Sequence, residues 1–522
     1  MKKISAFAGC ALLVAAAILF YSFKFKTVII VLPGTIHVDG GEISGVKSAS
    51  GDVMSFKGIP FAAPPVAGLR WKAPQPVLPW AGVKKCDAFG PSPMQPKPVP
   101  FGVYTNEFLI PEQPIDEDCL YLNVWAKNTI GVKKPVFVWI YGGGFGSGGA
   151  AVPIYDGEAL AKKGVIFVSI NYRVGVFGFL AHPELTKESS DKASGNYALL
   201  DQIAALKWVK KNIASFGGDP GNVTIAGQSA GSMSVNCLVA SPAAKGLFNK
   251  AIAESGSLMV SNPMIKSTNL HDAEQQGIKL AAALHVNSLD ELRKVPTADL
   301  MKIPGGYAPI VDGYVLPEPV SQIFAEGKEN KVPLLIGWNA DEGFVSAFKT
   351  KEDFIKEAKN QYGSDADEFF KYFTAGTDEE AARSQTKLSR DMIFAMSGYK
   401  WATLQAQKAK EPVYVYYFQH KLPATPDFEK YGAFHTGEVA YVMDNLKFLH
   451  RPWKVEDRLL ASQVSGYWVN FIKNGNPNSA NLPAWPKYNN SKSQVMVFDN
   501  RAMHKRLPDK EELAFMLKRA EK

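Results

Sequence analysis

The stretch NVTIAGQSAGSMSVNCLVAS, residues 222–241, constrains this chain more than any other. It reads as a short β-branched strand over 222–226, a turn holding Gly227-x-Ser229-x-Gly231, and a helix-compatible run from Ala230 onward. Alone the pentapeptide says little, because 44 glycines in 522 residues give roughly 0.2 such matches by chance. The strand before it and the helix after it change that. Between two glycines on a strand-to-helix turn, a serine is lifted clear of the sheet, and the glycines let backbones approach where a Cβ would clash. The following helix N-terminus favours negative charge developing beside that serine.

This context resembles the nucleophile elbow of α/β-hydrolases, and the expected fold is therefore a large, mixed, mostly parallel central sheet with helices on both faces. Acyl transfer at Ser229 also needs donors for a tetrahedral oxyanion. Upstream, PVFVWIYGGGFGSGGA (135–150) runs an apolar strand directly into Gly142-Gly143-Gly144, where backbone N–H groups are free to turn toward a ligand. A phosphate-cradling loop is the alternative, but no GK[ST] follows and no helix-like stretch succeeds the glycines. An orienting acid and a base should come after the serine, in that order. The strand VPLLIGW (332–338) ends in Asn339-Ala340-Asp341-Glu342-Gly343, so either Asp341 or Glu342 is placed to serve. Beyond the last strong strand, PVYVYYFQ (412–419), His435 lies in YGAFHTGEVAYV, with His420 and His450 as alternatives. His37 and His182 precede the serine, His271 and His285 precede the acid, and His504 lies near the tail.

Composition sets the frame. With 46% hydrophobic and 21% charged residues, the chain is an ordinary globular protein. It has no linker, repeat or low-complexity tract to divide it, and one domain over 35–520 is expected. The Pro-rich stretch Pro91–Pro114 reads as a long ordered loop. At the N-terminus, Lys2 and Lys3 precede ISAFAGCALLVAAAILFYSF (4–23), and Lys24 and Lys26 close it. Residues 1–26 therefore read as an export signal. The apolar run is also long enough to tether the chain in a membrane. An exported chain is expected, periplasmic or secreted, and either cleaved or anchored. The formal charge of +8 includes those four lysines, leaving 8 − 4 = +4 for the body. No basic helix or aromatic-basic platform appears, so nucleic acid is not an expected partner. Nor is any metal or cofactor, since there is no CxxC and no Cys/His cluster at ligand spacing. Cys86 and Cys119 flank the Pro-rich loop and are the natural pair for a disulfide, one that would stabilise by about 3–4 kcal/mol. Cys237 is expected as a buried free thiol.

Together, FKGIPFAAPP (56–65), EDCLYLNVW (117–125), YGGGF (141–145), NYRVG (171–175), GNYALLDQIAALKWVKKNIASFGGDPGNVTIAGQSAGS (195–232), NADEG (339–343) and FHTGE (434–438) resemble the type-B carboxylesterase family. That family includes cholinesterases and bacterial para-nitrobenzyl esterases, and the match runs from about residue 35 to 500. The resemblance implies a serine carboxylic-ester hydrolase acting on a small-molecule ester through Ser229, Glu342 and His435. It implies oxyanion donors at Gly143, Gly144 and Ala230, a Cys86–Cys119 disulfide, and Ser255 behind the triad. It also implies neutral substrates. Cholinesterases carry a tryptophan in the loop closed by this disulfide, and residues 87–118 contain none. Gln228 stands before the nucleophile where cholinesterases have Glu. A Ser/Lys β-lactam enzyme is set aside because no KTG element is present. The triad does not fix the leaving group, so amides, carbamates and polyesters stay open. Oligomeric state leaves no signature in the sequence.

Overall fold

A computed structural model describes residues 34–112, 114–127, 132–265, 268–408 and 410–521. The apolar segment 4–23, expected as signal or anchor, lies outside the described residues; among those described, no helix is long and apolar enough to cross a membrane.

Eleven strands form one sheet: β1 Val46–Lys47, β2 Val53–Pro60, β3 Tyr121–Lys127, β4 Lys134–Ile140, β5 Ile166–Ile170, β6 Gly218–Gln228, β7 Lys250–Glu254, β8 Leu334–Asn339, β9 Val413–Phe418, β10 Gln494–Phe498 and β11 Ala502–Arg506. Their spatial order is β11-β10-β9-β8-β7-β6-β4-β5-β3-β2-β1. The seven strands from β10 to β5 run parallel, and both edges are antiparallel. This is the expected α/β-hydrolase sheet. Strands such as KPVFVWI, LLIGWN and VYVYYF are largely apolar or aromatic without alternation, and β5, β7, β8 and β9 are buried at every residue. Such strands need cover on both faces.

Helices supply it. The principal ones are α1 Tyr197–Asn212, α2 Ala230–Ala240, α3 Asp378–Arg390, α4 Met396–Lys408, α5 Val455–Asn474 and α6 Lys510–Ala520. Helix α2 packs on β6 and β7, α4 on β8 and β9, and α5 on β4, β6 and β11. Helix α5 stops at Gly475, whose left-handed φ of 69° closes its last turn. The NYRVG segment is locked to α1 by a buried ion pair. Arg173 Nε and Nη2 reach the Asp201 carboxylate at 2.8 and 2.7 Å, and the Arg173 backbone N–H joins it at 3.0 Å.

The order of connection places the site. After β4 the chain adds β5 on one side, then crosses to add β6 on the other. In an open parallel sheet, the crevice beyond the carboxyl ends at such a reversal is where ligands bind. Here the loops leaving β4 and β6 are the glycine triplet and the Ser229 turn.

Candidate active site

Ser229 joins β6 to α2 with φ 58° and ψ −125°, a conformation that costs a non-glycine residue about 1–3 kcal/mol. It is held on both sides: its N–H donates to the Glu254 carbonyl at 2.8 Å, and its carbonyl accepts from Met233 at 2.9 Å. The two glycines are sterically required. A Cβ on Gly231 would sit 2.0 Å from the Ile140 carbonyl oxygen, and one on Gly227 would sit 2.5 Å from Gly231.

The structure brings Glu342, rather than Asp341, to the imidazole. Glu342 Oε2 meets His435 Nδ1 at 2.8 Å, and its Oε1 accepts the Asn339 N–H at 2.8 Å. Asp341 instead accepts the Ala433 N–H at 2.9 Å, bracing the loop that leads to His435. The other histidines lie elsewhere: His420 pairs with Asp457 at 2.7 Å, and His450 is exposed beside Glu107. Around His435, Phe394 stacks at 4.3 Å and Phe344 packs edge-on at 5.3 Å. Tyr104 donates its hydroxyl to the His435 carbonyl at 2.9 Å.

His435 Nε2 is not hydrogen-bonded to Ser229 among the described residues. Instead the Gln228 side-chain amide lies 3.0 Å from it. With Nδ1–H donating to Glu342, Nε2 carries the lone pair, and the Gln228 N–H is its donor.

Gly143 (φ 125°) and Gly144 (φ 61°) adopt backbone conformations that favour glycine. They line one cavity of about 330 Å³ together with Ser229, Ala230 and His435. The N–H groups of Gly143, Gly144 and Ala230 donate to no protein acceptor among the described residues. Aromatic and aliphatic groups, including Phe101, Phe108, Val152 and Ile265, make up most of the remaining wall. No Asp, Glu, Lys or Arg lines it among the described residues. A larger cavity of about 1040 Å³ adjoins it across Tyr104, Phe344, Ile393 and His435.

Beneath the site is a carboxyl cluster that sequence reasoning did not single out. Glu254 and Glu438 are fully buried beside Glu342. Burial pushes the Glu254 carboxyl up to about 8, opposed by the Trp468 indole N–H donating to it at 2.7 Å. Glu438 is raised as well, by burial and then by the neighbouring Glu254 and Glu342 charges. Glu438 lies in the FHTGE motif and Glu254 ends β7 just before Ser255, but nothing in either string marks a carboxyl as interior. Ser255 of that ESG is buried with φ 54°, and its N–H donates to the Gly337 carbonyl at 2.9 Å.

The expected disulfide is corrected. Cys86 and Cys119 are both buried free thiols, as is Cys237. The reason is register. The Cys86 carbonyl takes the N–H of Lys57, whereas Leu120, next to Cys119, takes that of Phe61. The two cysteines thus meet β2 and its extension at different points, on either side of a bulge between Phe56 and Ile59, and are not brought together.

A strained serine, an imidazole–carboxylate pair and unclaimed N–H donors meet at the switch point of an α/β-hydrolase fold. The chain belongs to the carboxylesterase family, whose model matches residues 33–516, and it hydrolyses carboxylic esters. It is 37% identical over 486 residues to the fumonisin B1 esterase of Sphingopyxis macrogoltabida, covering 89% of this chain and 86% of that one. It is 36% identical to the para-nitrobenzyl esterase of Bacillus subtilis (strain 168), with 90% and 96% covered. Similarity extends to a cocaine esterase of Oryctolagus cuniculus, at 35% identity with 86% and 88% covered.

Proposed function

We propose that Ser229, His435 and Glu342 carry out two-step acyl transfer on neutral carboxylic esters. Ser229 attacks the ester carbonyl while His435 Nε2 takes its proton; Glu342 holds the imidazole and balances its charge. The oxyanion is met by the N–H groups of Gly143, Gly144 and Ala230. His435 then protonates the leaving alcohol and activates water for deacylation. Gln228 yields the Nε2 lone pair when Ser229 reacts, and Ser255 supports the triad from behind. The observation that carries this reading is the 2.8 Å bond between Glu342 and His435, whose imidazole lines the same cavity as Ser229 and the unclaimed donors.

An uncharged wall favours uncharged esters, because a charged group buried there would have no counterion. The catalytic unit is one domain over 35–520, preceded by an export segment that is cleaved or retained as a tether. A fluorophosphonate probe should label the protein once, at Ser229, and Ser229→Ala should lose both labelling and esterase turnover. Undiminished labelling of Ser229→Ala would overturn the assignment. Mass spectrometry of the mature N-terminus distinguishes cleavage from anchoring.

A further inference from the structure

The loop that carries Gly143 and Gly144 has six glycines in the eight residues 142–149. Such a loop has more backbone freedom than any other composition. N–H groups stabilise an oxyanion only when they already point at it, so something must hold this loop. Inside the turn, the Gly143 carbonyl accepts from Gly146 and Ser147, both at 3.1 Å. These bonds fix its shape, not its placement. Its exit, Gly148, lies flat on its entrance: a Cβ there would sit 2.4 Å from the Gly142 carbonyl oxygen.

One side chain grips that exit. Gln95, 4% exposed, donates through Nε2 to the Gly148 carbonyl at 2.7 Å and accepts the Gly148 N–H through Oε1 at 2.8 Å. The same Nε2 donates to the Pro93 carbonyl at 2.9 Å. The amide thus pairs with Gly148 as a neighbouring strand would, and it ties the Pro-rich loop to the glycine loop. Asn171 makes a parallel tie one step along, from Pro91 to Ala150, with both bonds at 2.9 Å. Both amides thus tie the Pro-rich loop to the glycine-rich segment.

We propose that Gln95 is the positioning residue that sets the oxyanion donors of Gly143 and Gly144, through its reciprocal pair of hydrogen bonds with Gly148. The inference rests on the reading of those N–H groups as oxyanion donors. It is tested with Gln95→Met, which removes both bonds at similar volume, and Gln95→Glu, which keeps an acceptor for the Gly148 N–H but faces two carbonyl oxygens without a donor. Active sites are first counted by fluorophosphonate labelling carried to completion, and thermal midpoints are recorded. Per labelled site, kcat should fall about 10- to 100-fold in both variants, with KM within about 3-fold. The inhibition constant of a trifluoromethyl ketone, whose hemiketal places an oxyanion in the same position, should rise by the factor that kcat/KM loses.

A purely structural role would lower the labelled fraction and the midpoint while leaving kcat per site and the ketone affinity within 2-fold of wild type; that result overturns the proposal. So does a rise in KM alone. If Gln95→Met yields too little folded protein, Gln95→Glu is judged by the same two measurements. Failure of wild-type protein to label at Ser229 would instead sink the underlying mechanism, so the two failures are distinguishable.

Discussion

At the scale of single residues, Gln228 shows how one heavy atom changes a site. Its amide N–H faces the lone pair of the imidazole at 3.0 Å; a carboxylate there would have no hydrogen to give and would place a full negative charge in a cavity that otherwise has none. Attraction between that charge and a substrate cation is large when water is excluded. Gln228→Glu should therefore raise kcat/KM for butyrylcholine relative to its uncharged isostere 3,3-dimethylbutyl butyrate, by about 5-fold or more. Measuring the ratio cancels any general loss of activity in the variant. An unchanged ratio would mean that position 228 does not set charge preference.

At the scale of elements, β7 delivers two things from one end. The Glu254 carbonyl holds the Ser229 N–H, and its side chain is buried against Trp468 of α5. That carboxyl is raised from 4.5 to about 8 by burial. The folded chain therefore keeps a proton that the unfolded chain releases above about pH 4.5. Its contribution to stability is full below that value and is lost as pH rises through about 8. Glutamine cannot titrate and keeps an oxygen for Trp468, so Glu254→Gln should gain stability relative to wild type between pH 5 and 8.5, read as urea midpoints. A difference between the two proteins that does not change with pH would show that Glu254 is ionised in the fold.

How much of this could be read from the chain follows the same division. The elbow, the glycine triplet and the strands were legible because each is local: period, apolar run and glycine spacing lie within some twenty residues. The choice of Glu342 over Asp341 was not local. It depends on where His435, 93 residues on, closes back against the end of β8, and only the family resemblance supplied it. Gln95 left no signal at all, since a glutamine beside prolines reads as surface loop. The disulfide went wrong for a related reason. Flanking a loop in sequence says nothing of the pairing register, which holds Cys86 and Cys119 apart along β2 and its extension.

At the scale of the whole molecule, no covalent crosslink joins the described parts. Distant segments are tied by buried polar groups instead. Arg173 holds Asp201, and Arg390 of α3 reaches Asp391, Asp509 and Glu512 at 2.6–3.3 Å while donating to the Ala340 carbonyl beside the acid loop. Such clusters act as units, because removing one member leaves a buried charge uncompensated at about 3–5 kcal/mol.

The three buried thiols carry a consequence for where this enzyme can be made. Burial pushes Cys86 up to about 12 and raises Cys119 and Cys237 as well. All three are therefore protonated and shielded from disulfide exchange. Neither an oxidant nor an isomerase is needed to reach the native state, so protein folded in a reducing compartment should equal protein folded in an oxidising one. Millimolar dithiothreitol should leave the thermal midpoint and the turnover of residues 34–522 unchanged, and a thiol reagent should react with Cys86, Cys119 and Cys237 only after denaturation. A midpoint that drops on reduction would restore the crosslink that the register argues against.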